Sequence, residues 1–170
     1  ASDVYKRQLN VYGKSMHNDI TSGKENIDFK YVCSLKDISN IKETLKEKLR
    51  SNYERDVDRG NTSIGPHRDD LAIYLNDIDA KSFGSQGQQR TSILTMKFAS
   101  LEIIKEITGE YPVLLLDDVL SELDINRKSY ILKSIKDIQT IITCTGTEYI
   151  EESLYDNYKV FKVIDGKVEE

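Results

Sequence analysis

Cysteine is scarce: only Cys33 and Cys144 occur in 170 residues. Two cysteines without metal-ligand spacing make neither a disulfide framework nor a zinc site, and Cys144 lies in an apolar run. Both facts fit a reduced, cytoplasmic setting. Long hydrophobic runs are missing too. No apolar stretch approaches the ~20 residues of a membrane helix, and no signal-peptide pattern opens the chain. An excess of basic charge is also absent. The 24 Lys and Arg stand against 29 Asp and Glu, a formal net charge of −5, whereas a domain built mainly to grip DNA is usually basic. Any DNA contact therefore needs a local basic patch or a part of the protein outside this sequence. There is no internal repeat, low-complexity tract or coiled-coil heptad run. What remains, 38% hydrophobic and 31% charged, is enough chain for one globular domain with a core of its own.

The first residues stand apart. Asp3-Val4-Tyr5-Lys6-Arg7-Gln8 matches the translation of a transposon sequencing adapter, and there is no initiator Met. Residues 1–8 are accordingly set aside as adapter-derived, on a reading frame expected to be truncated at its N-terminus.

Asn26 to Val32 alternates as a strand, with Ile27, Phe29 and Tyr31 on one side. Ile38, Ile41, Leu45, Leu49, Tyr53 and Val57 then recur at three- and four-residue steps, which predicts an amphipathic helix stopping near Gly60. Residues 9–64 thus read as the end of a helical or linker region, and 65–170 as a second sub-domain. Within it, Leu71 to Leu75 reads as a strand, and Asn76-Asp77 turns it into another over Ile78 to Phe83. A helix follows from Ser85 to Thr108, with Leu94, Phe98 and Leu101 on one face and Ile93 and Ile104 widening the stripe. Gly109 terminates it. Val113-Leu114-Leu115-Leu116 has the continuous apolarity of a strand covered on both faces. A helix capped by Asp124 and a β-branched run from Thr140 to Thr145 complete a parallel β-α-β unit. Tyr158 to Ile164, Asp165-Gly166 and Lys167 onward read as a closing hairpin. The class is α/β.

Four short elements in the second sub-domain carry chemistry. Asp117 and Asp118 stand at the carboxyl end of the apolar strand, where open α/β sheets place ligands. Carboxylates in that position hold Mg²⁺ in nucleotide-hydrolysing enzymes. Taken alone, the pair could equally be solvated or helix-capping. Gly84-Ser85-Gln86-Gly87-Gln88-Gln89-Arg90 opens the long helix, whose first amides suit an anion; on its own this is a plain capped helix start. Ser121-Glu122-Leu123-Asp124 follows the acidic pair, and Thr145-Gly146-Thr147 ends the second parallel strand, where its hydroxyls should neighbour Asp117 and Asp118. Gly13-Lys14-Ser15 resembles the end of a phosphate-binding loop, but Gln8 stands where that loop needs Gly. It reads as an ordinary loop.

In order and spacing, these elements resemble the signature motif, Walker B strand, D-loop and switch of ABC-type ATPases. The wording is closer still to the RecF family: Gly65-Pro66-His67-Arg68-Asp69-Asp70, then 84–90, then Leu114 to Asp124. The resemblance implies the C-terminal part of an ABC-type ATPase head, with a parallel sheet core, flanking helices and peripheral hairpins, without the phosphate-binding loop. Two such heads sandwich ATP. Asp117 would then hold Mg²⁺, and Asp118 would take the place of the general base. Ser85, Gln86, Gly87, Gln88, Gln89 and Arg90 would contact, in trans, the ATP of a partner copy. Ser121 and Asp124 would lie at the dimer seam, with Thr145 and Thr147 as the switch. Many ABC ATPases carry Glu and His where Asp118 and Thr145 stand, so slow hydrolysis is implied. So is a role in recombinational repair, replication and the SOS response: recognising gapped or single-stranded DNA junctions, with RecR and RecO as partners and RecA loading as the outcome. The fragment by itself is expected to be inactive.

Nothing in composition or spacing shows DNA binding. Arg50, Arg55, Arg59, His67 and Arg68 are interleaved with Asp56, Asp58, Asp69 and Asp70, and read as ordinary surface charge. Two other readings stay open: a Mg²⁺-dependent phosphoryl-transfer domain, and a nucleotide-independent interaction module. Exposure of Gln86 to Gln88 would favour the ATPase head, and their burial the module.

Overall fold

Helix α1 (Ser2–Ile20) opens the chain in the structure, a computed structural model describing residues 2–35, 39–121, 123–146 and 158–169. Tyr5, Leu9, Tyr12, Met16 and Ile20 recur at four- and three-residue steps and form its inner face. Residues 2–8, set aside on sequence grounds, are its first two turns. The Tyr5 hydroxyl shares a hydrogen bond with Ser100 Oγ at 3.1 Å, and Leu9 is fully buried. The expected loop at Gly13-Lys14-Ser15 is likewise helical. A Cβ at Gly13 would stand 2.6 Å from Phe29 Cε2, so the glycine lets α1 lie against that ring.

β1 (Ile27–Val32) pairs antiparallel with β2 (Asp70–Leu75), Ile27 opposite Leu75 and Phe29 opposite Ile73. Asn76 and Asp77, both at positive φ (49° and 66°), turn β2 into β3 (Ile78–Asp79). The strand expected to reach Phe83 stops there. Asp79 accepts hydrogen bonds from Lys81 N (3.2 Å) and Ser82 Oγ (2.6 Å), capping the short helix α4 (Ala80–Phe83). Between β1 and β2 lie α2 (Ile41–Ser51) and α3 (Tyr53–Arg59), separated at Asn52 and ended by Gly60 at φ 64°. The single helix expected there is therefore two, and neither buries a residue; Ile38 lies outside the described residues. A 3-10 turn, Pro66–Arg68, follows. Arg68 Nε donates to Thr62 O and His67 Nε2 bonds the same carbonyl, each at 2.9 Å, so both side chains brace this corner.

The long helix α5 (Gln86–Thr108) ends at Gly109, φ 88°. It joins two cores. Leu94, Phe98 and Leu101 face one built with β4 (Leu114–Asp117) and α6 (Ile125–Ser134). Ala99 and Ile103 face the other, with Leu9, Ile27, Phe29 and Leu75. Burial on two sides was expected, but through Ile93 and Ile104; these are exposed. The second core also draws together residues from both sides of the boundary expected at 64/65.

β4 runs parallel to β5 (Thr140–Thr143), Leu114 opposite Thr140 and Asp117 opposite Thr143. Leu114 and Leu116 are buried, whereas Leu115 is 62% exposed, with Val113 and Ile141 also open on the surface. Among the described residues, the strand is covered on one face. β6 (Lys162–Ile164) and β7 (Lys167–Glu169) close the chain as a hairpin around Asp165 and Gly166 at positive φ. Among the described residues, no helix is long and apolar enough to cross a membrane.

Candidate functional site

The carboxyl end of β4 carries Asp117 and Asp118, both exposed. Thr143, the β5 residue paired with Asp117, pins them. Its hydroxyl donates to Asp117 Oδ1 at 2.5 Å and accepts from Asp118 N at 3.0 Å. Asp118 N also points at Thr143 O, 3.2 Å away. Asp118 itself has φ 47°, a left-handed backbone at which the strand ends. From there the chain enters a loop anchored by Leu120 and Leu123, each 5% exposed. Ser121 Oγ donates to Asp118 O (3.0 Å), and Asp124 caps α6 by accepting from Arg127 N at 3.0 Å.

Thr145 was expected to supply the hydroxyl beside the acidic pair. The strand ends two residues earlier, and the contact belongs to Thr143. Thr145 is exposed beyond the strand end, and Thr147 lies outside the described residues. Counting register from Leu114 opposite Thr140 would have found Thr143, but that register is set by the pairing itself.

The second part of the site is the start of α5. Gly84 has no room for a side chain: a Cβ would lie 2.5 Å from Ala80 O. Gln89 Nε2 reaches back to Ala80 O, Lys81 O and Gly84 O at 3.1–3.2 Å, fastening α4 to α5. Ser85 and Gln88 form a reciprocal capping box. Gln88 N donates to Ser85 Oγ at 3.3 Å, and Ser85 N donates to Gln88 Oε1 at 2.9 Å. Ser85 and Gln86 are exposed, while Gly87, Gln88, Gln89 and Arg90 are half-buried. The surface thus presents a helix N-terminus whose first turn is rigidly set, a geometry suited to an anion.

A polar cluster lies behind that turn, which the sequence pattern did not reveal. Glu25 accepts from Gln88 Nε2 at 3.0 Å and faces His17 Nε2 at 3.2 Å. Arg127 Nη2 is 3.9 Å from Glu25 Oε1, and its Nε is 3.3 Å from Asp124 Oδ2. His17, fully buried, meets Thr95 Oγ1 at 2.9 Å through its other ring nitrogen. Burial pushes the His17 imidazole below its usual value, against the pull of the Glu25 carboxylate, while Arg127 adds to the downward shift. These residues come from α1, the turn after it, α5 and α6, so no local spacing announces them.

A Mg²⁺ ion suits the donor set at the strand end, since such ions take one or two carboxylates and complete their shell with phosphate oxygens and water. Asp117 would supply the carboxylate. Among the described residues, no group of three or more His, Cys, Asp or Glu is placed to hold a metal.

No family model matches the chain. It is 64% identical over 165 residues to the DNA replication and repair protein RecF of Clostridium perfringens (strain 13 / Type A), covering 97% of this chain and 46% of that protein. RecF of Clostridium beijerinckii is 60% identical over 165 residues, with 96% and 45% covered. The chain spans about half the length of the curated relatives it matches. Among solved structures, one of the recombination mediator protein RecF-ATPrS in the RecFOR pathway superposes with a TM-score of 0.72 at 37% identity, over 98% of this chain and 44% of that one. A structure from work on ATP-driven dimerization and DNA-stimulated activation of SMC ATPases gives 0.57 at 14% identity, over 99% and 87%. At that identity it speaks for a shared ATPase-head fold alone.

Proposed function

Because this chain belongs to the RecF family of DNA replication and repair proteins, we propose that it supplies the C-terminal half of an ATP-dependent DNA clamp, engaging nucleotide across a dimer seam. The observation that carries this reading is the rigid, exposed start of α5, Ser85 and Gln86 held by a capping box. A ligand of a partner copy can approach it from solvent. Of Gln86 to Gln88, the first is exposed and the other two are half-buried, so the segment is not in the core, which favours the ATPase head over the nucleotide-independent module. In this reading Ser85 to Arg90 meet the terminal phosphate of ATP bound to the partner. Asp117 holds Mg²⁺, which would neutralise phosphate charge when bound. Asp118 orients or deprotonates the attacking water, while Ser121 and Asp124 line the seam and Thr145 and Thr147 serve as the switch.

The likeness to solved structures of RecF-ATPrS and RecF-ATP supports ATP as the nucleotide, and the dimer follows from reading the start of α5 as a contact made in trans. We extend the reading to slow hydrolysis and a cytoplasmic protein. Its substrate would be gapped or single-stranded–double-stranded DNA junctions, with RecR and RecO as partners and RecA loading as the output.

The test is light scattering of a full-length protein carrying this segment, with and without Mg²⁺-ATP. Wild type should dimerise with ATP, and Ser85→Arg should not. Turnover should fall at least about 100-fold in Asp118→Asn, the range expected for losing a positioned base. The isolated chain should show no turnover. Equal dimerisation of both proteins, or turnover indifferent to Asp118→Asn, overturns the reading.

A further inference from the structure

The start of α5 and the loop before α6 are far apart along the chain, with all of α5 and β4 between them, yet one carboxylate and one guanidinium join them. Glu25 Oε1 accepts from Gln88 Nε2, and the same oxygen lies 3.9 Å from Arg127 Nη2. Gln88 is the residue whose side-chain oxygen locks Ser85 N in the capping box. Arg127 in turn holds Asp124 at 3.3 Å, and Asp124 caps α6. The chain of contacts runs from Ser85 through Gln88, Glu25 and Arg127 to Asp124 without a gap. Arg127 also lies directly over Gly87, Nη1 standing 3.3 Å from where a Cβ would be.

The path is sheltered. The side chains of Glu25 and Arg127 are 13% and 20% exposed, so their attraction is screened less than that of a surface pair. Removing Arg127 would leave the sheltered Glu25 carboxylate without its guanidinium, whereas Arg127 without Glu25 still has Asp124 at 3.3 Å. Glu25 is also fixed from behind by the buried His17, which limits where the carboxylate can move. Both ends of the path emerge at exposed residues, Ser85 and Asp124.

We propose that Glu25 and Arg127 are positioning residues that couple the phosphate-facing start of α5 to the Asp124 loop, so that nucleotide engagement at one is transmitted to the other within the same chain. This rests on the reading of Ser85 to Arg90 as an in-trans nucleotide contact. Neither residue touches nucleotide. A pull on the first turn of α5 draws the Gln88 amide off a Glu25 held in place by His17, and Arg127 redistributes between Glu25 and Asp124. The D-loop then senses whether a partner's ATP is seated.

The experiment uses a full-length protein in which this segment replaces the matching segment of its Clostridium perfringens relative. Mg²⁺-ATP-dependent dimerisation is titrated by light scattering for wild type, Glu25→Gln, Arg127→Gln, the double variant and Arg127→Lys, with Ser85→Arg as control. Glu25→Gln keeps an acceptor for Gln88 and removes the charge. Each Gln variant should raise the ATP concentration needed for half-dimerisation by about tenfold, a typical size for coupling between sites. The double variant should be no worse than the weaker single one, and Arg127→Lys should recover part of the loss. ATP-independent melting should change by no more than a few degrees. Unaltered dimerisation in both single variants overturns the proposal, as do additive losses that track lowered melting temperatures. A wild type that ignores ATP, or a Ser85→Arg protein that behaves like it, overturns instead the nucleotide reading beneath.

Discussion

α5 and the α2–α3 pair are helical stretches of similar length that both carry apolar residues at helical spacing, and they meet opposite fates. α5 buries eight residues on two sides, from Thr91 to Ile103, and each of its faces belongs to a different core. α2 and α3 bury none; Tyr53 and Val57 are 68% and 61% exposed. The difference is one of neighbours. α5 lies between α1 on one side and β4 with α6 on the other, whereas the stripe on α2–α3 meets no comparable surface among the described residues. An apolar stripe shows which way a helix would face a partner; it does not supply one.

That contrast can be broken most forcefully at Phe98. Phe98→Ala should destabilise the chain by about 3–5 kcal/mol, the usual cost of emptying a packed aromatic site, while Val57→Ala should change stability by less than about 0.5 kcal/mol. Urea unfolding midpoints of the two variants would decide it, and similar losses would mean that α2–α3 is packed after all. Ala99→Leu probes the other side of α5. Ala99 is fully buried against α1, so overfilling that seam should cost about 1–3 kcal/mol. Ser85→Ala removes the cap of the two-sided helix and should cost about 1 kcal/mol by the same assay.

The mildest probe is pH. His17 protonates less readily in the fold than its ordinary value of 6.5, so below that pH the unfolded chain takes up more protons. The stability His17 lends is thus complete above about pH 6.5 and is lost as pH falls through the lower folded value. Melting at pH 7.5 and 5.5 should show a smaller acid-induced loss in His17→Gln than in wild type.

Much of the β4–α6–β5 unit could be read ahead of the structure because its signals are local. Asp124 is a capping residue by type, and the same locality makes Gly109 a terminator of α5 and Asp165-Gly166 the turn of the final hairpin. Three features were hidden for physical reasons. The run Val113 to Leu116 reports apolarity on both faces, but coverage depends on what lies alongside, and Leu115 remains bare. α1 has a clear stripe from Tyr5 to Ile20, unread because its first turns had been set aside and Gly13 passed for a loop residue. The place of Gly13 in a helix depends on a distant ring, Phe29. The cluster of His17, Glu25, Gln88 and Arg127 belongs to tertiary structure alone, each member looking like ordinary surface polarity in its own segment.

The backbone at Asp118 limits which amino acids the position can accept. At φ 47° a long or branched side chain sits poorly, and the residues at ease are glycine, asparagine and aspartate. Only the last of these is an acid. A glutamate there would have to overcome the local conformation before its extra reach could be used. The bend after β4 therefore tilts the choice between the two acids toward the shorter one, by roughly 1 kcal/mol.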